Sequence, residues 1–170
     1  NQAEFIADAV ESVLAQTFKS WELVIVNDGG SGKVKEVIKS FRSGKIRYFK
    51  TAHKGLSHAL NYGIKNARGK YIAYLDDDDI YYKNHLKTVC SEISRKNADI
   101  VYSDAVCALR ERRGLEYKTV KKIQEWSVDF DAALLEKHNY IPILCVLHKK
   151  DCIKKSGYFM AVFPQARYRI

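Results

Sequence analysis

The spacing of apolar residues changes along the chain, and each change predicts a different element. Residues 4–18 carry apolar side chains at every third or fourth position, which is the pattern of an amphipathic helix. Residues 21–28 form a short apolar run rich in β-branched side chains, bounded by a glycine cluster, and this predicts a buried strand. The next predicted elements are helices at 34–41, 56–68 and 84–96 and strands at 45–50, 71–75 and 99–106.

This alternation predicts an α/β fold with a mostly parallel, doubly wound, Rossmann-like sheet, because parallel neighbours need helical crossovers. The second half is less regular. It predicts a hairpin turning at Arg113 and Gly114, a short helix at 130–137, a strand at 143–148 and a helical turn at 150–157. We interpret these elements as a smaller antiparallel flank of the same sheet, so that residues 1–170 form a single domain.

Composition agrees with a folded globular domain, since 46% of the residues are hydrophobic and 29% are charged. No apolar run reaches the length of about 18 residues that a membrane span requires. The four cysteines form no CxxC pair and are predicted to be reduced thiols. The formal charge of +9 is spread over predicted helices and loops, and no interleaved aromatic and basic motif indicates a nucleic-acid partner.

Two acidic turns follow predicted strands. Asp28 ends the strand at 21–28, and four consecutive aspartates, Asp76 to Asp79, follow the strand at 71–75. In open α/β sheets ligands bind beyond the carboxyl ends of the strands. Both turns are therefore candidates for one ligand site.

Four adjacent aspartates require compensation, because two carboxylates about 4 Å apart repel by roughly 4 kcal/mol at an effective dielectric constant near 20. If the strand continued for two residues, Asp76 and Asp78 would point to one side and Asp77 to the other. Such oxygen ligands suit Mg²⁺ or Mn²⁺, and magnesium usually completes its shell with water and substrate phosphates. We interpret Asp79 as a cap for the following helix.

Residues 3–32 and 53–79 together resemble the nucleotide-binding half of family 2 glycosyltransferases, which have the GT-A fold. The resemblance covers residues 1–106 in order and spacing and continues loosely to Phe159. It implies a nucleotide-sugar-binding half at 1–106 and an incomplete acceptor-side half at 107–170. The family pattern opens with a strand that ends in Thr-Tyr-Asn. Asn1 would be that last residue, so the first strand is expected to be missing.

The resemblance implies an enzyme that transfers a sugar from a nucleoside diphosphate, such as UDP, to an acceptor hydroxyl, with metal assistance and inversion of the anomeric centre. The acceptor would be a saccharide or a lipid-linked molecule. The cofactor would be Mn²⁺ or Mg²⁺. The family's roles fall by position on these residues: Asp28 for the base, Asp76 or Asp77 for the ribose, Asp78 and also Asp76 for the metal, Lys54 and Asn61 for the nucleotide side, and Asp104 for the acceptor side.

Three departures from the family pattern stand out. Asn27 replaces the first aspartate of the pair that normally ends the strand, and Leu60 replaces an arginine in an Ala-Arg-Asn motif. The family's general base belongs to a later acidic pair, but no acidic residue follows Asp151. We therefore expect the base to lie beyond Ile170 or in another segment that is not described.

Two other functions remain open at this point. A nucleotidyltransferase would share the sheet and the phosphate chemistry, and a non-catalytic domain would bind a nucleotide without a general base. The family resemblance also implies cell-envelope polysaccharide synthesis at a cytoplasmic location. A position at the inner face of the cell membrane would suit the basic surface. The oligomeric state is not predicted.

Overall fold

The computed structural model describes residues 2–113 and 116–160. The helices in this part are α1 (Gln2–Leu14), α2 (Gly32–Ser40), α3 (Leu56–Asn66), α4 (His85–Arg95), α5 (Ala132–Lys137) and α6 (Cys152–Ser156), with a 3₁₀ helix at Ile143–Cys145. The strands are β1 (Leu23–Asp28), β2 (Ile46–Thr51), β3 (Tyr71–Ala73), β4 (Ile100–Tyr102), β5 (Ala105–Arg113), β6 (Glu116–Trp126) and β7 (Val146–Lys149).

Strands β1 and β2 form a parallel pair in which Asp28 lies opposite Thr51. Their apolar side chains are covered by helices on both faces. On one face, α1 and α2 enclose a core of Ile6, Val10, Ile25, Val34 and Ile38. On the other, α3 approaches so closely that a Cβ added at Gly63 would lie 3.6 Å from Cγ2 of Val26. The pair is therefore the centre of a helix, sheet and helix sandwich.

A second sheet has the order β3, β7, β4, and β7 runs antiparallel to both neighbours. His148 lies opposite Ile72 on one side and Ile100 on the other. Leu147 packs against Val89 and Ile93 of α4. Ile72 of β3 and Tyr74, just after it, pack against Ile64 of α3, so this sheet also has helices on both faces.

The α/β class of the predicted fold is therefore confirmed, but the prediction of a mostly parallel sheet is not. Among the ladders of the described residues, only β1 and β2 pair in parallel. The strand predicted at 143–148 is antiparallel, as expected, but its predicted position at a flank is wrong, because β7 lies between β3 and β4. Leu147 and His148 are both buried, as expected for a central strand covered on each face.

The predicted hairpin is the antiparallel pair β5 and β6. Its register shifts twice, after Cys107 and after Leu109, and each shift leaves one extra residue on β6. Arg110 pairs with Asp8 of α1 at 2.9 Å and so ties the hairpin to the first helix. Arg113 ends β5, but Gly114 of the predicted turn lies outside the described residues.

The four cysteines are free, as predicted. Cys145 is buried, Cys90 and Cys152 are half-buried, and Cys107 is exposed on β5. In the part of the chain that the structure describes, we found no helix with the length and apolarity needed to cross a bilayer.

Candidate nucleotide-sugar site

The carboxylate of Asp28 holds the loop that follows β2. Its Oδ1 accepts hydrogen bonds from the hydroxyl of Thr51 at 2.8 Å and from the backbone N–H of Lys54 at 3.1 Å. Its Oδ2 accepts from the N–H of Lys54 at 3.0 Å and from that of Gly55 at 2.7 Å. The side chain is only 13% exposed. Asp28 therefore fixes the position of residues 51–55.

These bonds also set the charge of Asp28. The hydroxyl of Thr51, and after it the two backbone N–H groups, lower the pKa of the carboxyl below its ordinary value despite its partial desolvation. Asp28 is thus ionised at neutral pH. Beside it, Nδ1 of His53 lies 2.9 Å from the carbonyl oxygen of Asp28, and the imidazole is 84% exposed. The imidazole therefore stands in solvent directly beside the predicted base-binding residue.

Asn27 explains the first departure from the family pattern. Its Nδ2 donates to the carbonyl of Ser31 at 3.3 Å and to the hydroxyl of Tyr48 at 2.9 Å. Its Oδ1 accepts from the N–H of Gly30 at 2.6 Å. The buried amide thus uses both its donor and its acceptor to shape the glycine turn, and a carboxylate has no donor for Ser31.

Replacing Asn27 by aspartate is expected to lower the free energy of unfolding at pH 7 by about 1–2 kcal/mol, because the carbonyl of Ser31 would lose its donor. The new carboxyl would have a raised pKa in the folded state, so the loss should shrink as the pH falls towards 4. Urea denaturation at both pH values measures this. Asn139→Asp is the matched control, because Asn139 uses only its acceptor, towards the N–H of Ile141. Equal losses in the two variants at pH 7 would contradict the assignment.

The four aspartates form a turn and do not continue the strand. Strand β3 ends at Ala73, and the N–H of Asp79 donates to the carbonyl of Asp76 at 3.3 Å. The condition for the predicted strand-like alternation of Asp76, Asp77 and Asp78 is therefore not met. Even so, Asp76 and Asp78 are exposed, while Asp77 and Asp79 are half-buried.

The turn carries negative charge with no salt bridge to any of its four carboxylates among the described residues. Burial, followed by the charges of Asp78, Asp76 and Asp77, raises the pKa of Asp79 to about 6. Desolvation and the charge of Asp78 also raise the pKa values of Asp76 and Asp77. A cation at this turn would relieve the repulsion.

The interpretation of Asp79 as a helix cap was wrong. Helix α4 begins at His85, and the residue preceding it is Asn84. Asp79 therefore belongs to the acidic turn, and its N–H is the group that closes the turn.

Ser12 of α1 and Gln16, two residues beyond the end of α1, hold the segment that follows the turn. Gln16 is 0% exposed, its Nε2 donates to the carbonyl of Tyr82 at 2.9 Å, and its Oε1 accepts from the N–H of Leu86 at 3.0 Å. Ser12 accepts from the N–H of Tyr81 at 3.1 Å. Sequence reasoning missed both residues. The available signal in the sequence was that Gln16 lies three positions after Val13, on the apolar face of the helix predicted at 4–18.

The other predicted site residues are Lys54, Asn61 and Asp104, and each has a different environment. The side chain of Lys54 is exposed, and it is its backbone N–H that bonds to Asp28. The amide of Asn61 is engaged twice by the backbone of Phe159, donating to its carbonyl at 2.7 Å and accepting from its N–H at 3.0 Å. Asp104 is exposed between β4 and β5. The functional roles assigned to these three residues remain predictions.

Within residues 2–113 and 116–160, no three His, Cys, Asp or Glu side chains are arranged as a ready-made metal centre. Magnesium needs only one or two protein carboxylates when water and phosphate oxygens supply the rest. The acidic turn offers hard oxygen donors and uncompensated charge, so its residues fit such an ion.

Comparison with known proteins gives a consistent result. The family model described as "Glycosyl transferase family 2" matches residues 1–152. An uncharacterized glycosyltransferase of Rickettsia typhi is 38% identical over 164 residues, which are 94% of this chain and 50% of that protein. One from Rickettsia bellii is 42% identical over 107 residues, covering 60% of this chain and 15% of that protein. The chain thus spans half or less of the length of these relatives.

Among solved structures, residues 1–349 of S. aureus TarS align with a TM-score of 0.68 and 17% identity, covering 94% of this chain and 48% of that one. The same TarS fragment in complex with UDP-GlcNAc also aligns with a TM-score of 0.68, over 91% of this chain and 44% of that one. At this identity the likeness shows the fold alone. Together with the family match over most of its length, it leads to one conclusion: the chain belongs to glycosyl transferase family 2.

Proposed function

We propose that this chain is the nucleotide-sugar-binding part of a metal-dependent glycosyltransferase that transfers a sugar from a nucleoside diphosphate to an acceptor hydroxyl with inversion. The observation that carries the proposal is the acidic turn after β3, whose four carboxylates form no salt bridge among the described residues. Desolvation and mutual repulsion raise the pKa values of Asp76, Asp77 and Asp79. A divalent ion with a diphosphate would complete this turn. Family membership supports the reaction class.

Each end of the site has a distinct role in this proposal. Asp28 and the loop that it holds would bind the base, and Asp76 or Asp77 the ribose. Asp78, with Asp76, would hold Mn²⁺ or Mg²⁺. When bound, the ion supplies charge stabilisation for the leaving diphosphate. Lys54 and Asn61 are proposed on the nucleotide side and Asp104 on the acceptor side. No residue of this chain is assigned the role of general base.

UDP is the first nucleotide to test, because a structural neighbour is described in complex with UDP-GlcNAc. Calorimetric titration with UDP and with GDP, each with and without Mn²⁺, should show binding that Mn²⁺ strengthens. In Asp78→Ala this strengthening should disappear, because the exposed carboxylate proposed to hold the ion is gone. Asp129→Ala is the matched control, since Asp129 is an exposed aspartate that does not belong to the turn. Metal-independent binding in the wild type, or unchanged binding in Asp78→Ala, would refute the metal assignment.

No observation among the described residues favours a nucleotidyltransferase, and the family match argues against it. A turnover assay distinguishes the proposed enzyme from a non-catalytic nucleotide-binding domain. The full-length protein with UDP-sugar and an acceptor should release UDP if the proposal holds. Nucleotide binding without acceptor-dependent UDP release would identify a binding domain.

We also propose a saccharide or lipid-linked acceptor and a cytoplasmic position at the inner face of the cell membrane. The support for this is the formal charge of +9, which favours association with anionic headgroups.

A further inference from the structure

Tyr81 connects the two ends of the segment that carries the four aspartates. Its hydroxyl donates to the carbonyl of Tyr74, immediately after β3. Inside this closure lies the smaller one, in which the N–H of Asp79 donates to the carbonyl of Asp76. The acidic turn is therefore closed twice, once by its own backbone and once by a side chain that lies outside it.

Tyr81 is itself fixed from several directions. Its N–H donates to the hydroxyl of Ser12 in α1, and its ring packs with Val13 and Leu86 in a buried cluster. The ring also stacks on that of His85, with centroids 4.1 Å apart and planes inclined by 20°. The side chain is 7% exposed. A tyrosine held in this way connects α1 to the end of β3 rigidly, and the acidic turn spans the two attachment points.

The carbonyl of Tyr74 would not be held equally well by water, because Tyr74 and Tyr81 are both buried. The hydroxyl of Tyr74 is engaged elsewhere, 2.7 Å from Nε2 of His148. Nδ1 of His148 lies 2.8 Å from the carbonyl of Lys149 and donates a hydrogen bond to it. In this tautomer Nε2 carries no hydrogen, so it accepts a hydrogen bond from the hydroxyl of Tyr74. The two tyrosine hydroxyls therefore donate to different acceptors, and of these two only the hydroxyl of Tyr81 closes the turn.

We propose that Tyr81 is a positioning residue for the divalent cation: by holding the carbonyl of Tyr74, its hydroxyl sets the arrangement in which the carboxylates of the acidic turn receive the metal. This inference rests on the proposed function. A residue that acts only on stability would weaken nucleotide binding to the same degree with and without metal. A positioning residue would weaken the metal-dependent part.

The test is Tyr81→Phe, which keeps the ring and its stacking on His85 and removes only the hydroxyl. At a fixed UDP concentration, the Mn²⁺ concentration for half-saturation should rise about tenfold, because the carboxylates would have to adopt the metal-binding arrangement without the bond that holds the Tyr74 carbonyl. The affinity for UDP without metal should stay at the wild-type value. Tyr82→Phe is the matched control, because Tyr82 is 70% exposed and adjacent in sequence.

Tyr74→Phe supplies the second comparison, since it removes the bond to His148 and leaves the Tyr74 carbonyl in place. Its Mn²⁺ midpoint should equal that of the wild type. An unchanged midpoint in Tyr81→Phe, or equal weakening of UDP binding with and without Mn²⁺, would overturn the inference while leaving the proposed function intact. A wild-type protein whose UDP affinity does not depend on Mn²⁺ would overturn both.

Discussion

Replacing Gln16 by leucine is expected to lower the free energy of unfolding by about 3 kcal/mol, although leucine fills nearly the same volume. The reason is that the fully buried amide of Gln16 bonds to backbone groups on a distant segment, the carbonyl of Tyr82 and the buried N–H of Leu86. An apolar side chain leaves the N–H of Leu86 without an acceptor, and it leaves the carbonyl of Tyr82 with only one of its two donors, the N–H of His85. The segment beyond the acidic turn would then be held less firmly, by the bond of Tyr81 to Ser12 and that of Thr17 to Lys83, so metal-dependent UDP affinity should fall together with stability.

Urea denaturation measures the first effect, and a thermal melt should show a midpoint lowered by roughly 10 °C. Gln124→Leu is the matched control, because Gln124 lies on the exposed face of β6. Its unfolding free energy should change by less than about 0.5 kcal/mol. Similar losses for the two glutamines would show that the buried bonds of Gln16 carry no special weight.

Replacing Gly29 by alanine is expected to lower the free energy of unfolding by about 2–4 kcal/mol. Gly29 has a φ of +86°, a conformation that a side chain disfavours, and an added Cβ would lie 2.7 Å from Cβ of His53. The backbone must therefore move away from the loop that Asp28 holds. Because this loop is the proposed base-binding element, UDP affinity in the absence of metal should fall as well.

Gly32→Ala is the matched control within the same glycine cluster. Gly32 begins α2, and an added Cβ would meet nothing within 4 Å. This variant should be as stable as the wild type or more stable by about 0.5–1 kcal/mol, because alanine favours the helix. Denaturation and metal-free UDP titration of both variants test the pair. A Gly29→Ala protein with wild-type stability would contradict the steric argument.

The sequence predicted the positions of helices and strands well, but it predicted much less well which strands pair with each other. Periodicity located β1, β2, α3 and α4 well, because each element carries its own pattern of burial. It could not place β7, since pairing of His148 with both Ile72 and Ile100 depends on contacts between distant parts of the chain. The expectation of a mostly parallel sheet failed for this reason.

In the candidate site, too, local features were predictable from the sequence and long-range contacts were not. Asp28 and the acidic turn were found because strand-end carboxylates have a local signature. Gln16 and Tyr81 were missed because they act on backbone groups far along the chain or across a turn, and a single sequence shows no such pairing. The purpose of Asn27 also required the structure, since its amide serves Ser31 and Tyr48 together.

The bonds around Asp28 have a consequence for how a nucleotide would be selected. Thr51, Lys54 and Gly55 already supply three donors to the two carboxylate oxygens, with the N–H of Lys54 shared between them. A base that bonds to Asp28 must compete with these donors for the carboxylate, so the exchange adds little net affinity. It does penalise any base that lacks a donor at that point. Because the loop must first yield, association should also be slower than diffusion allows, and Asp28 would contribute discrimination more than tight binding.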